Sequence, residues 1–170
     1  MSSSEVVDEF LACARQYIAL VDRVSTLTRC EFLASCACLL PRIYALGQAL
    51  PEPSIEQEEP PEPPVVQNPM AAIGSLLGDA NLYSEVWDPV IDSTALKTYL
   101  SDDLADIYCD LAAPLGLYER GSAADRAEAL WDWRFNLMGH CGEHIVDCLR
   151  PIHRLLYDHL CPEQLLREPE

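Results

Sequence analysis

At 170 residues the chain is the size of one domain, and it is long enough to bury a core without disulfide or metal staples. Its 11 basic and 28 acidic side chains give a formal net charge of −17, which repels phosphate backbones and anionic lipid and so excludes nucleic acid and membrane surfaces as partners. An apolar content of 49% excludes global disorder.

The first helix is predicted over about Ser4 to Ser25, where Val6, Phe10, Leu11, Ala14, Tyr17, Ile18 and Val21 recur at helical spacing. Ser2 with Glu5 forms its capping box, and Thr28 with Glu31 forms another that opens a second helix. Pro41 should kink that second helix, and Pro51 should end it. Residues 51–69 hold seven prolines and five glutamates, which predicts an extended, solvated linker or excursion loop within a single helical domain, 1–170. Asn68-Pro69 reads as the start of a short helix ending near Gly78. From Tyr83 to Asp92 no period is visible, and a helix or turn is expected from Ser93 to Leu100. A helix capped by Ser101 follows, bent or stopped at Pro114 and punctuated by Gly116 and Gly121. The last long helical pattern opens at Ser122 and is kinked at Pro151. No segment reads as a strand. The fold class predicted is all-α, an antiparallel helical bundle of about five to seven helices.

The eight cysteines include no Cys-x-x-Cys pair, and Met1–Glu5 shows no basic region leading into an apolar run. No apolar run reaches the roughly 18 residues of a bilayer span. These features predict reduced, mostly buried thiols and a cytoplasmic protein.

His140-Cys141-Gly142-Glu143-His144 is the segment richest in chemistry. Histidines four apart share one helix face and can clasp a metal. The string matches the inverted zinc-protease pattern over five residues only, and that class needs a further carboxylate ligand far downstream. Small metal-binding four-helix bundles of the DinB and YfiT type resemble it better, with a His-x-x-x-His pair on a late helix. Their third ligand is a histidine on an early helix; here no histidine precedes His140, so a carboxylate must stand in. Asp103, Asp106 and Asp110, spaced i, i+3, i+7, form one acidic stripe, and Asp106 is the candidate third ligand for a divalent metal. The same stripe also reads as a solvated face opposite the apolar side. As a Mg²⁺ motif it lacks the facing acidic helix found in all-α nucleotide pyrophosphohydrolases. Arg134 falls inside the apolar stripe of the last helix and needs a partner, which predicts a polar cluster with a carboxylate and with the histidines bonded at the bundle edge. Neither a nucleophile elbow nor a phosphate-binding glycine loop is present.

The run from Asp102 to Tyr108, then Trp131-x-Trp133-x-Phe135, His140-Cys141-Gly142-x-His144 and Leu149-x-x-Ile152-His153-x-Leu155-Leu156, is similar to an uncharacterised family of small helical bacterial proteins, a domain of unknown function. The resemblance covers most of the chain outside the linker; it implies an all-α fold and no particular activity. Cys141 stands where that family is expected to carry Trp.

Three functional classes follow. The most economical is a non-enzymatic binding or interaction module, because no catalytic set is complete; its acidic surface would meet a protein partner or a second copy, with no resident cofactor. The second is a metal-dependent enzyme using His140 and His144 with a carboxylate of the 103–110 stripe. The third is a structural homodimer joined through exposed aromatics such as Trp87 and Tyr83.

Overall fold

The computed structural model describes residues 2–54 and 59–160. Residues 55–58 of the proline-rich stretch, and Cys161, lie outside them. Among the described residues six α-helices form an all-α bundle with one small hairpin. α1 (Ser3–Asp22) starts at the expected capping box: Ser2 Oγ accepts from Glu5 N at 3.3 Å and Ser2 N donates to Glu5 Oε2 at 2.6 Å. Thr28 and Glu31 repeat the device at the start of α2 (Arg29–Gln48). α2 runs through Pro41, whose ring lies on the exposed side. It is the one described helix with the length and hydropathy of a membrane span, and its apolar side, with Phe32, Leu33, Cys36, Leu40 and Ile43, lies in the core.

The described part of 51–69 has no regular structure, as expected, but it is seated on the bundle: the Pro64 ring lies 2.5 Å from where a side chain on Gly116 would begin. α3 (Met70–Leu77) follows; Asn68 Oδ1 accepts from Met70 N, and Gly78 closes the helix at φ +56°, a conformation open to glycine.

Two strands then correct the sequence reading. β1 (Leu82–Val86) pairs antiparallel with β2 (Ala95–Tyr99), in the register Leu82 with Tyr99 and Val86 with Ala95. The helix or turn expected over 93–100 is therefore mostly strand. α4 (Leu100–Arg120) begins directly at its end, with Tyr99 and not Ser101 in the capping position. The Ser101 amide is instead tied to Asn81 Oδ1 at 2.8 Å. α4 continues through Pro114 to Gly121, whose φ of +90° ends it.

The long pattern expected from Ser122 divides in two, α5 (Ala123–Met138) and α6 (His140–Arg154), joined by Gly139 alone. Gly142 is buried against the Leu137 carbonyl, so close that a Cβ there would collide with it. The break lets α6 turn back across α4 while also packing on α2 and α5. Trp133 fills the centre, its Nε1 donating to Leu111 O at 3.2 Å and its ring meeting Phe10 edge-on. Burying a side chain of this size stabilises the fold by about 3 kcal/mol.

Cys13, Cys36, Cys141 and Cys148 are buried free thiols, as expected, whereas Cys38 is exposed. Cys30 corrects the expectation of eight reduced thiols: it is disulfide-bonded, and it sits half-buried in the first turn of α2.

Candidate metal centre

α4 and α6 bring the two halves of the site together. The acidic stripe on α4 does not face solvent as one of its readings had it, because α6 lies across it. Asp103 is buried, its side chain 4% exposed, and Asp106 and Asp110 are partly covered. From α6, four residues apart, come His140, 57% exposed, and His144, 20% exposed.

Each imidazole is held from behind by its own carboxylate. His140 Nδ1 lies 2.8 Å from Asp110 Oδ2, and His144 Nδ1 lies 2.8 Å from Asp103 Oδ1. An ionised carboxylate only accepts, so each Nδ1 carries the hydrogen and donates it. In the neutral ring that leaves a lone pair on Nε2. The two Nε2 atoms are 3.2 Å apart, and Asp106 Oδ2 is 3.5 Å from that of His144 and 3.7 Å from that of His140. Two ligands about 2 Å from a tetrahedral ion are separated by about 3.3 Å, so this triangle has nearly the size a zinc ion requires. Among the described residues, Asp106, His140 and His144 are the set of acidic, histidine or cysteine side chains whose ligand atoms converge in this way.

The electrostatics follow from that crowding. Asp103, by accepting the Nδ1 hydrogen, raises the His144 pKa above its ordinary value against the opposing effect of burial. Asp106 is pushed up by burial, then by Asp102 and Asp110, with the two histidines pulling the other way. A shared proton between the two rings would satisfy two of the three convergent lone pairs; a divalent cation satisfies all three.

Behind Asp103 the hairpin adds a further layer. Tyr83 Oη is 2.7 Å from Asp103 Oδ2 and 2.7 Å from Glu85 Oε2. Tyr83 was expected as an exposed interface aromatic; its ring is instead half-buried and its hydroxyl committed to the site. Glu85 was not singled out. The signal that would have found the pair is their i, i+2 spacing, which puts both on one face of a strand.

The remaining predicted residues are elsewhere. Among the described residues Arg134 does not join a carboxylate; its Nη1 donates to the carbonyl of Leu50, just beyond α2. Trp87, 76% exposed in the hairpin loop, lines a cleft of about 560 Å³ with Tyr44, Met138, Val146, Glu143 and Asp147. Burial raises the Cys109 and Cys141 thiols, and neighbouring aspartates add to the shift, which leaves them poor nucleophiles.

The fold has a solved counterpart in protein BF1032 from Bacteroides fragilis, a structural-genomics target; the two are 24% identical, with a TM-score of 0.78, over 90% of this chain and 93% of that one. No curated protein matches the chain. Residues 1–158 match the family described as Domain of unknown function (DUF5063). A match of that extent confirms the resemblance read from the sequence: the chain belongs to the DUF5063 family, to which no activity is assigned.

Proposed function

We propose that this protein is a metalloprotein that holds one divalent transition-metal ion between α4 and α6, through Asp106 Oδ2, His140 Nε2 and His144 Nε2. The observation that supports this reading is the convergence of three ligand atoms whose two imidazoles are each anchored through Nδ1 by a separate carboxylate. Such carboxylate–histidine pairs orient metal-ligating rings and make them better donors. Two nitrogens and one oxygen suit Zn²⁺, Fe²⁺ or Ni²⁺ better than Mg²⁺. With three protein ligands a coordination position stays open to water or substrate, the arrangement of catalytic and not of structural zinc sites.

The test is metal content after reloading with Zn²⁺, Ni²⁺ and Mn²⁺ in turn, for the wild type, His140→Ala, His144→Ala and Asp106→Asn. About one ion per chain in the wild type is expected, lost in both histidine variants and weakened in Asp106→Asn. A folded wild type that retains no ion under any loading ends the proposal.

A second reading, contact with a protein partner, has its own support. On α5 the rings of Trp131 and Phe135 are stacked, 5.0 Å apart and 8° from parallel, and both are exposed beside the exposed Met138. Exposed aromatics grouped in this way suit an interface core. A change in sedimentation between wild type and Trp131→Ser/Phe135→Ser at high concentration would place a second copy there; identical behaviour removes the homodimer.

A further inference from the structure

The cleft of about 560 Å³ at the α5–α6 elbow uses a different face of α6 from the metal centre. Glu143, Val146 and Asp147 line it, spaced i, i+3 and i+4, and none of Asp106, His140 and His144 does. Its space comes from the elbow itself. Gly139 brings no side chain, and beyond its chain neighbours a Cβ there would touch only the Phe135 carbonyl oxygen, 3.9 Å away. The floor is braced by Gln48 of α2, whose Nε2 donates to Leu137 O at 3.1 Å.

Two aromatic rings from separate elements stand on the walls, Tyr44 from α2 and Trp87 from the loop between β1 and β2. Both are exposed, as are Met138 and Val146 beside them. Large apolar side chains scattered singly over a surface need no explanation, but a group of them around one concavity marks a binding site. The loop that carries the indole is closed into a turn. Asp88 Oδ1 accepts from Val90 N at 2.9 Å and from Ile91 N at 3.3 Å, and the Asp88 carbonyl accepts from Asp92 N at 2.9 Å.

Into the same concavity α6 brings two carboxylates, Glu143 and Asp147, four residues apart and so on one helix face. Aromatic faces present the negative part of the ring quadrupole, so the rings and the acids both favour a cation. The apolar walls narrow the choice further. An inorganic ion gains nothing from Met138, Val146 and the indole, whereas an ammonium wrapped in methyl or methylene groups gains from every wall. The volume falls among those of small-molecule sites, roughly 300–1,000 Å³, which suits a free ligand held inside the concavity.

Independently of the metal-binding reading, we infer that this cleft binds a small organic cation, an alkylated or quaternary ammonium on a compact apolar body. Trp87 and Tyr44 meet its alkyl-ammonium head through their ring faces, Glu143 and Asp147 balance its charge, and Met138 and Val146 cover its apolar part.

The test is isothermal titration of the full chain, freed of metal by a chelator, with choline and separately with 3,3-dimethylbutan-1-ol, the same molecule with carbon in place of the charged nitrogen. Choline is expected to bind saturably and the alcohol to bind about 10-fold more weakly. Trp87→Ala, which removes an exposed side chain, should weaken choline about 10-fold. Glu143→Gln/Asp147→Asn should weaken it by at least as much and bring it level with the alcohol. Asp8→Asn/Glu9→Gln, on the exposed side of α1, removes the same charge and should leave choline affinity within about 2-fold. A wild type that shows no saturable choline binding, or that binds the alcohol as tightly, overturns the inference without any variant. Unchanged affinity in Trp87→Ala overturns it, and so does an equal loss in the α1 and α6 variants, since the attraction is then only the charge of the whole molecule. Because the metal is removed beforehand, none of these outcomes bears on the metal centre.

Discussion

Tyr83 has one hydroxyl hydrogen and two carboxylate neighbours, Glu85 and Asp103, each 2.7 Å away. Its contact with Asp103 Oδ2 leaves Oδ1 committed to His144 Nδ1. Tyr83 is thus a positioning residue, two bonds removed from the proposed ion. Tyr83→Phe keeps the ring and removes the anchor, so metal affinity should fall about 10-fold by chelator competition, while circular dichroism stays unchanged. Tyr99→Phe, on the exposed part of the same hairpin, serves as the control and should leave affinity as it was. Equal affinity in Tyr83→Phe and wild type would remove the phenol from the site. At this scale the sequence was readable in part. His140 and His144 are paired by spacing alone, and Asp106 shares a stripe with its neighbours. What spacing does not give is which helix covers that stripe. Asp103 was therefore indistinguishable from a solvated carboxylate, although it is the most deeply buried acid at the site.

α5 and α6 meet at an elbow that decides where the histidines point. Gly139 is the sole residue between the helices, and Gly142 sits against the Leu137 carbonyl, which also accepts from Gln48 Nε2 at 3.1 Å. An added methyl at Gly142 must displace that carbonyl or tilt α6 away from α4. Gly142→Ala should cost about 1–3 kcal/mol in urea unfolding, and it should weaken metal uptake although no ligand is touched. A variant as stable as wild type with full metal content would show that the elbow has slack. The elbow was not legible because the apolar pattern from Leu130 to Cys148 is helical throughout and a single glycine within it is a weak signal. The hairpin was missed for a different reason. β2 is largely exposed and no residue of β1 is fully buried, so neither strand shows the alternation of apolar and polar residues that marks a strand buried on one face. Pro41, expected to kink its helix, and Pro114, expected to bend or stop its own, lie inside helices that run on past them to Gln48 and Arg120, so Pro114 is not a stop.

For the molecule as a whole, the bundle was the most legible feature, since long apolar stripes with two capping boxes leave few alternatives. Its pH response follows from His144. Without metal, the raised pKa means that the protonated His144–Asp103 pair contributes its full stabilisation below the ordinary histidine value of about 6.5 and loses it as pH rises through the elevated folded value. Metal binding runs the other way, because the ion must displace a proton from Nε2. The metal-free protein should therefore lose thermal stability between about pH 6 and pH 8 relative to His144→Gln, while the rise in Tm produced by Zn²⁺ should be small near pH 6 and grow towards pH 8. Scanning fluorimetry across that range measures both trends. A zinc-induced rise independent of pH would mean that His144 is not a ligand.

The paired residues of the site are 30 and 41 positions apart in the chain, with all of α5 between them. An ion held there would act as a reversible cross-link, one that closes a long loop in the folded chain and is absent from the unfolded one. Stability would then depend on supply: at a free-ion concentration a hundred times the dissociation constant the fold gains about 2.7 kcal/mol, and under scarcity it gains almost nothing. The lifetime of the folded chain would in that case rise and fall with the free metal around it, so that the abundance of the protein would itself record metal availability.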